Sequence, residues 1–268
     1  MPTHEPSLTR ELAVAREAAA DAAALLVEGW GTHPAFRFKT SETDLVTEFD
    51  KKAEAVIIHK LAEAFPDDAI VGEEGGGQIG RSGRAWHVDP LDGTTNFTHG
   101  LPIFGSAIGL WANEEPIAGV VTAPALGWTF HGGRGHGAFL GDKAIQVSQV
   151  AELSRALLVT GFPYLRSGRH DNVPEFSAFM RASQGVRRLG SAALDLCFVA
   201  CGWLDGFWER NIKSWDLVAG SAIVLAAGGQ IGDPDGGPFV AQTGCILASN
   251  GHIQQAMLDE LRRLTTNQ

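Results

Sequence analysis

The segment Asp89-Pro90-Leu91-Asp92-Gly93-Thr94-Thr95 constrains this chain more tightly than any other. It follows the apolar run Ala85-Trp86-His87-Val88, which reads as a strand. Asp, Pro and Gly satisfy tight-turn dihedrals without strain, so the strand is expected to stop here and the chain to turn. Two carboxylates three residues apart then sit at a strand end. The Gly-Thr-Thr turn behind them offers backbone N–H groups that can seat an anion. Hard cations such as Mg²⁺ take oxygen ligands, usually one or two carboxylates, and share the remaining positions with water and phosphate. Metal ligands and phosphate donors within one turn of chain point to phosphate chemistry. Taken alone, the tetrad Asp89–Asp92 is equally good as a plain turn. What decides between the two is whether other carboxylates occupy matching contexts.

They do. Glu73 and Glu74 follow Ala69-Ile70-Val71-Gly72, a short strand-like run. Asp216 follows Trp215 and opens the helical stretch 217–227, while Asp44 and Asp50 flank Leu45-Val46-Thr47. Each has a plain reading: Asp50 and Asp216 as ordinary helix N-caps, Glu73-Glu74 as a solvated loop. Jointly, carboxylates at element ends can converge into one acidic pocket, and their mutual repulsion calls for divalent cations.

The surrounding pattern predicts layered α/β architecture. An alanine-rich amphipathic helix is expected over residues 8–30, capped by Ser7 or Thr9, and a second from Asp50 to Phe65, ending before Pro66. Strand-like runs at 103–111, 117–123, 127–131 and 137–140 read as an antiparallel meander. From 156 onward strands and helices alternate: 156–161, a helix near 171–183, 186–188, helix 191–202, 204–209, helix 216–228, a strand near 245–249 and helix 251–264. Residues 1–150 are therefore expected to form an α+β half with most of the acidic set. Residues 151–268 would form an α/β half with Asp216, the two joined as one unit. Gly75-Gly76-Gly77 reads as a mobile loop above the site.

Composition narrows the function. With 31 acidic against 21 basic residues, the net charge of −10 disfavours direct nucleic-acid binding and attachment to anionic membranes. No apolar run reaches the ~18 residues of a membrane span, and Met1-Pro2-Thr3-His4-Glu5 does not read as a signal peptide. Cys197, Cys201 and Cys245 have no zinc spacing and read as free thiols, which with the missing leader gives an expected cytoplasmic location. His59, His87, His99, His131, His136 and His170 likewise lack zinc spacing and read as structural or surface residues.

The motifs resemble the inositol monophosphatase family of lithium-sensitive, magnesium-dependent phosphatases. Gly72-Glu73-Glu74, Asp89 through Phe97, and Trp215-Asp216 with Ala219-Gly220 carry the resemblance. Asp44-Leu45-Val46-Thr47 with Asp50, Ala227-Gly228-Gly229 and Gly236-Gly237-Pro238-Phe239 also fit, so the likeness spans roughly residues 8–260. It implies an αβαβα sandwich and hydrolysis of inositol 1-phosphate or a similar small polyol phosphate, with two or three Mg²⁺ ions per site. Glu73, Asp89 and the Leu91 carbonyl would hold one ion. Asp89, Asp92 and Asp216 would hold a second, with Asp89 bridging, and Glu73 with Glu74 and water a weaker third. Thr94, paired with Asp50, would orient the attacking water, while Gly93 and Thr94 cradle the phosphate. Asp44 would lie near the metals.

Gly190, Ser191 and Ala192 resemble the strip lining the alcohol pocket, and Glu209, with Asp216, would accept inositol hydroxyls. Glu209 also has a plain reading as a solvated strand end. Arg187, Arg188, Arg210 and Lys213 either steer an anionic substrate or balance surface charge. Relatives leave histidinol phosphate, fructose 1,6-bisphosphate or a nucleotide 3′-phosphate as alternative substrates for the same chemistry. The family also implies a homodimer, and a regulatory protein that associates with the transcription machinery is the alternative of another class.

Overall fold

A computed structural model describes residues 8–42, 44–163 and 171–266. Two long helices, α1 (Thr9–Gly29) and α2 (Glu48–Ala64), bracket a small antiparallel hairpin of β1 (Phe36–Phe38) and β2 (Leu45–Thr47). An eight-stranded sheet follows. It comprises β3 (Ala69–Gly72), β4 (Gly77–Gln78), β5 (Ala85–Asp92), β6 (Gly105–Ala112), β7 (Glu115–Ala123), β8 (Trp128–Gly133), β9 (Gly137–Leu140) and β10 (Lys143–Ala144). Its order is β10-β9-β8-β7-β6-β5-β3-β4, antiparallel throughout except for the parallel pair β3–β5. The short helix α3 (Thr94–Thr98) leaves the end of β5.

The second sheet, ordered β12-β11-β13-β15-β14, has five strands: β11 (Leu157–Thr160), β12 (Gly185–Arg187), β13 (Gly206–Glu209), β14 (Gln230–Gly232) and β15 (Ile246–Ser249). It is mixed: β11 runs parallel to β12 and β13, and β15 antiparallel to β13 and β14. Helices α5 (Ala192–Ala200) and α6 (Ser214–Ala226) lie between the sheets, and α4 (Val173–Ala182) and α7 (Gln254–Thr266) cover the outer face of the second. With α1 and α2 outside the first sheet, the layers read αβαβα. Each layer boundary has an apolar core. One is built around Leu26, Ile57 and Trp86, a central one around Phe130, Leu196 and Ile223, and an outer one around Phe179, Trp208 and Met257. No helix among the described residues is long and apolar enough to cross a membrane.

Three local expectations need correction. Leu8, not Thr9, occupies the N-cap of α1 with no side-chain cap, and Ser7 lies outside the described residues, as do His170 and residues 1–5. Asp50 and Asp216 are not N-caps: each is the third residue of its helix and accepts a bond from the cap residue's N–H, Thr47 N at 2.8 Å and Lys213 N at 2.7 Å. The glycine triplet is no loose loop. It forms the β3–β4 turn, closed by Gly72 N to Gly76 O at 3.0 Å, with Glu54 accepting from Glu74 N (2.7 Å) and Gly76 N (3.0 Å). Helical pattern also overshot at the last helix, which starts at Gln254 rather than 251. Apart from β12, strands of two or three residues (β1, β2, β4, β10 and β14) escaped periodicity, which needs a longer run to register.

The approach of α6 to the first sheet positions the site. A Cβ on Gly109 would lie 2.4 Å from Ala219 N, and one on Gly119 would lie 2.1 Å from Ala219 O. The helix backbone therefore rests directly on β6 and β7, with Asp216 one turn earlier. Gly119→Ala should cost about 1–3 kcal/mol through overpacking and depress function by displacing Asp216. Chemical denaturation checks the first part. Stability equal to that of the unaltered protein would contradict the close approach.

Candidate active site

Strand β5 carries a fully buried carboxylate three residues before its end. Asp89 is 2% exposed, and its Oδ1 accepts from Leu91 N at 3.0 Å; instead of stopping there as expected, the strand runs on through a register shift to Asp92. Gly93 then takes a left-handed conformation (φ 85°), and a Cβ there would meet Ile103 O at 2.9 Å, so glycine is required by both backbone and space. Asn96, one turn into α3, donates to Ile103 O (2.7 Å) and Leu189 O (2.8 Å), tying the turn to the segment that carries Gly190 and Ser191.

A cleft of about 910 Å³ opens at this point. Asp89, Leu91, Asp92, Gly93 and Thr94 line it from β5 and α3, and Glu73 from the end of β3. Asp44 arrives from the β1–β2 hairpin, Gly190, Ser191 and Ala192 from the start of α5, Glu209 from the end of β13, and Asp216 from α6. Two anticipated residues lie behind the wall. Asp50 supports Thr94, whose Oγ1 lies 3.3 Å from Asp50 Oδ1 and 3.0 Å from Leu91 O. Glu74 turns toward Lys39.

Hydrogen bonds from the backbone aim the carboxylates. Asp92 Oδ2 accepts from Ser191 Oγ (2.6 Å) and Ala193 N (2.8 Å), so it caps α5 from another part of the chain. His87 Nδ1 lies 2.9 Å from Ser214 Oγ, joining β5 to the first residue of α6 two positions before Asp216. Burial holds His87 neutral, with its pKa lowered to about 4. Thr47 fixes Asp50 through its N–H (2.8 Å) and Oγ1 (2.6 Å). Asp44 accepts from Thr40 Oγ1 at 2.6 Å, which shapes the hairpin loop.

The electrostatics are those of crowded, desolvated acids. Asp89 lies within hydrogen-bonding reach of both Glu73 and Asp216. Burial, then the charges of Glu73, Asp92 and Asp216, pushes its carboxyl well above the usual range. Asp216 is raised likewise by burial and by Glu73 and Asp92. Asp92 is raised to about 6 by burial, despite its bonds to Ser191 and the start of α5. Asp50 also rises to about 6 through burial, opposed by Thr47. Burial, then Asp216 and Asp92, pushes Glu209 to about 8.

Few cations answer this charge. Lys39 Nζ bonds Glu73 Oε1 at 2.8 Å and also Glu74, and Arg188 and Lys213 line the cleft. Arg210 is instead paired with Asp235 at 2.7 Å, and Arg187 is exposed outside the cleft. Among the described residues no three His, Cys, Asp or Glu side chains are drawn together tightly enough to hold an ion as they stand. The donor set nevertheless fits a hard cation: carboxylates from three elements and a carbonyl, all oxygen, raised by one another's charge.

Sequence reasoning missed Lys39 and Asp195. Lys39 sits beyond a strand whose three residues are all exposed, so no burial pattern marked it. Asp195 left a signal: it is the one charged residue in the otherwise apolar run Ala192–Ala200.

The Glu209 carboxyl makes a testable link to stability. Folded, it keeps its proton up to about pH 8, whereas the unfolded chain releases it near 4.5. Stability without metal therefore falls as pH rises from 4.5 through 8. Glu209→Gln should raise the melting temperature by a few degrees at pH 8, with the gain shrinking toward pH 4.5. Thermal melts across that range check this, and a gain independent of pH would contradict it.

Residues 7–266 match the model of the inositol monophosphatase family. An inositol-1-monophosphatase of Synechocystis sp. is 45% identical over 264 residues, covering 97% of this chain and 92% of that protein. The structure of an inositol monophosphatase from Anabaena (Nostoc) sp. PCC 7120 is 41% identical, covers 96% of both chains and superimposes with a TM-score of 0.86. A Nus factor SuhB of Pseudomonas aeruginosa is 39% identical over 226 residues, covering 82% of this chain and 83% of that protein. A match running nearly from end to end, on a fold that gathers the acidic motifs into one cleft, establishes that this chain belongs to the inositol monophosphatase family, whose members are generally metal-dependent.

Proposed function

We propose that the protein is a Mg²⁺-dependent phosphomonoesterase acting on inositol 1-phosphate or a closely similar small polyol phosphate. The carrying observation is Asp89, buried between Glu73 and Asp216 at the floor of the cleft, where a shared ligand belongs. Glu73, Asp89 and the Leu91 carbonyl would hold one ion. Asp89, Asp92 and Asp216 would hold a second, and Glu73 with water, supported by Glu74, a weaker third. Magnesium supplies Lewis-acid stabilisation of phosphate oxygens and acidifies water.

The chain's own residues do the rest. Thr94 Oγ1 carries one proton and faces two acceptors, Asp50 Oδ1 and Leu91 O. With the proton directed to Asp50, its lone pairs face the cleft and accept from an attacking water, which aims it. Asp50 is mostly ionised above its pKa of about 6, as that role requires. Gly93 and Thr94 present the phosphate-binding backbone, Asp44 closes the hairpin side, and Arg188 and Lys213 draw in the anionic ester. At the other end Gly190, Ser191 and Ala192 line the alcohol side, and Glu209 and Asp216 accept its hydroxyls.

Phosphate release from inositol 1-phosphate, histidinol phosphate, fructose 1,6-bisphosphate and a nucleotide 3′-phosphate, with and without Mg²⁺, tests the reading. The inositol ester should have the highest kcat/KM, and activity should vanish on chelation. Asp92→Asn should lower kcat by at least about 10²-fold without unfolding the protein. Activity retained in that variant, or undiminished by chelation, would overturn the two-metal assignment.

The regulatory reading rests on relatives bearing the name Nus factor. It does not require the full acidic set this cleft contains, so the phosphatase reading stands first. The homodimer is carried forward with it. Light scattering should return twice the chain mass of 28.5 kDa, and a monomer at micromolar concentration would remove it.

A further inference from the structure

One acid in the cleft has no task in the chemistry above. Asp195 lines the cleft from the first turn of α5, is 1% exposed, and its Oδ1 has no hydrogen-bond partner among the described residues. Its position does not explain it. A carboxylate in the first turn of a helix ordinarily answers the free N–H groups there. On α5 that role belongs to Asp92, which reaches in from β5 to take Ser191 Oγ and Ala193 N. Packing does not explain it either, because its helical neighbours Ala192, Phe198 and Val199 are buried and apolar. A buried polar oxygen without a partner is costly, so it marks either strain or an absent partner.

The surroundings say what that partner would be. The charges felt at Asp195 come from Glu209, Asp92 and Arg188, all on the cleft. Glu209 closes the far side of this corner. It is pressed against Gly161, where a Cβ would fall 2.2 Å from Glu209 Oε1, so no side chain can intrude there. Burial, with Glu209 and Asp92 nearby, pushes the Asp195 carboxyl well above the usual range, so it can donate as well as accept. Two acids in one corner, both raised and so each able to donate as well as accept, complement a molecule whose adjacent groups also do both. Neighbouring hydroxyls of a polyol fit; the phosphate end of the ester, mainly dianionic near neutral pH and so an acceptor that the charge of Asp92 repels, does not.

We propose that Asp195 is a specificity-determining residue that, with Glu209, grips two neighbouring hydroxyl groups on the alcohol portion of the substrate. The inference rests on the phosphomonoesterase reading and narrows it to alcohols with at least two free hydroxyls near the ester. Asp195 touches the alcohol and not the reacting phosphorus, so it acts on substrate choice rather than on the bond broken.

The test compares Asp195→Ala and Asp195→Asn with the unaltered protein, each loaded with Mg²⁺. Calorimetric titration with free myo-inositol should show affinity lowered about tenfold or more in D195A and largely kept in D195N, which retains a donor and an acceptor. Inorganic phosphate should bind all three alike. In turnover, D195A should raise KM for inositol 1-phosphate with kcat nearly unchanged, and leave p-nitrophenyl phosphate, which offers no hydroxyl, within about twofold. Equal losses on both esters, unaltered myo-inositol binding in D195A, or no myo-inositol binding to the unaltered protein would each overturn the inference. The two readings fail separately. Inositol binding that depends on Asp195 without ester hydrolysis would remove the phosphatase reading alone, whereas hydrolysis indifferent to D195A would remove this inference alone.

Discussion

Everything in this molecule depends on holding mutually repelling carboxylates together in one cleft. Glu73, Asp89, Asp92 and Asp216 come from the end of β3, the end of β5 and the start of α6. Each would be better solvated apart: burial raises them all, and the charges of the others push Asp89 and Asp216 further. Fixed donors sustain the arrangement: Leu91 N on Asp89, Ser191 and Ala193 on Asp92, Lys213 N on Asp216, and Lys39 on Glu73. The layered fold supplies the force that burial alone opposes. Apolar cores on both faces of the eight-stranded sheet fix β5 and α6 rigidly enough for their acidic ends to meet.

The same constraint separates the two tasks of the cleft. On one side the acids stand in a group suited to cations and phosphate. On the other, Glu209 and Asp195 are pushed up by burial and by nearby acids, and in the proposed reading they face the alcohol to which the phosphate is attached. The start of α5 is where the two sides join. Asp92 caps it from the metal side, and Asp195 projects from it toward the alcohol side. A shift of the helix start as a whole would therefore reach both functions, whereas loss of the Asp195 side chain alone would reach only the alcohol side.

Much of this was legible in the sequence because the relevant signals are local. Asp-Pro-x-Asp-Gly ends a strand by turn chemistry, and acidic residues after apolar runs marked Glu73 and Asp216 before any contact between them was visible. The αβαβα layering followed from a meander succeeded by strand–helix alternation, together with the family resemblance. What escaped depends on tertiary packing. Lys39 reaches Glu73 from an exposed hairpin that no periodicity betrays. Asp50 and Asp216 looked like caps, yet sit three residues further in and bond back to the cap N–H. The glycine triplet looked mobile because its anchor, Glu54, lies twenty residues away from Glu74. Asp195 stood out only as a charge in an apolar helix, and its meaning waited on knowing that Asp92 had already taken the cap.

The central claim is that a divalent cation replaces protons within the buried carboxylate set. Calorimetric titration of the metal-free protein with Mg²⁺ at pH 7, repeated in two buffers of different ionisation enthalpy, measures that exchange directly. Binding should be accompanied by net proton release, and both binding and release should fall sharply in Asp89→Asn. Binding without proton release, or binding equally strong in Asp89→Asn, would contradict the account.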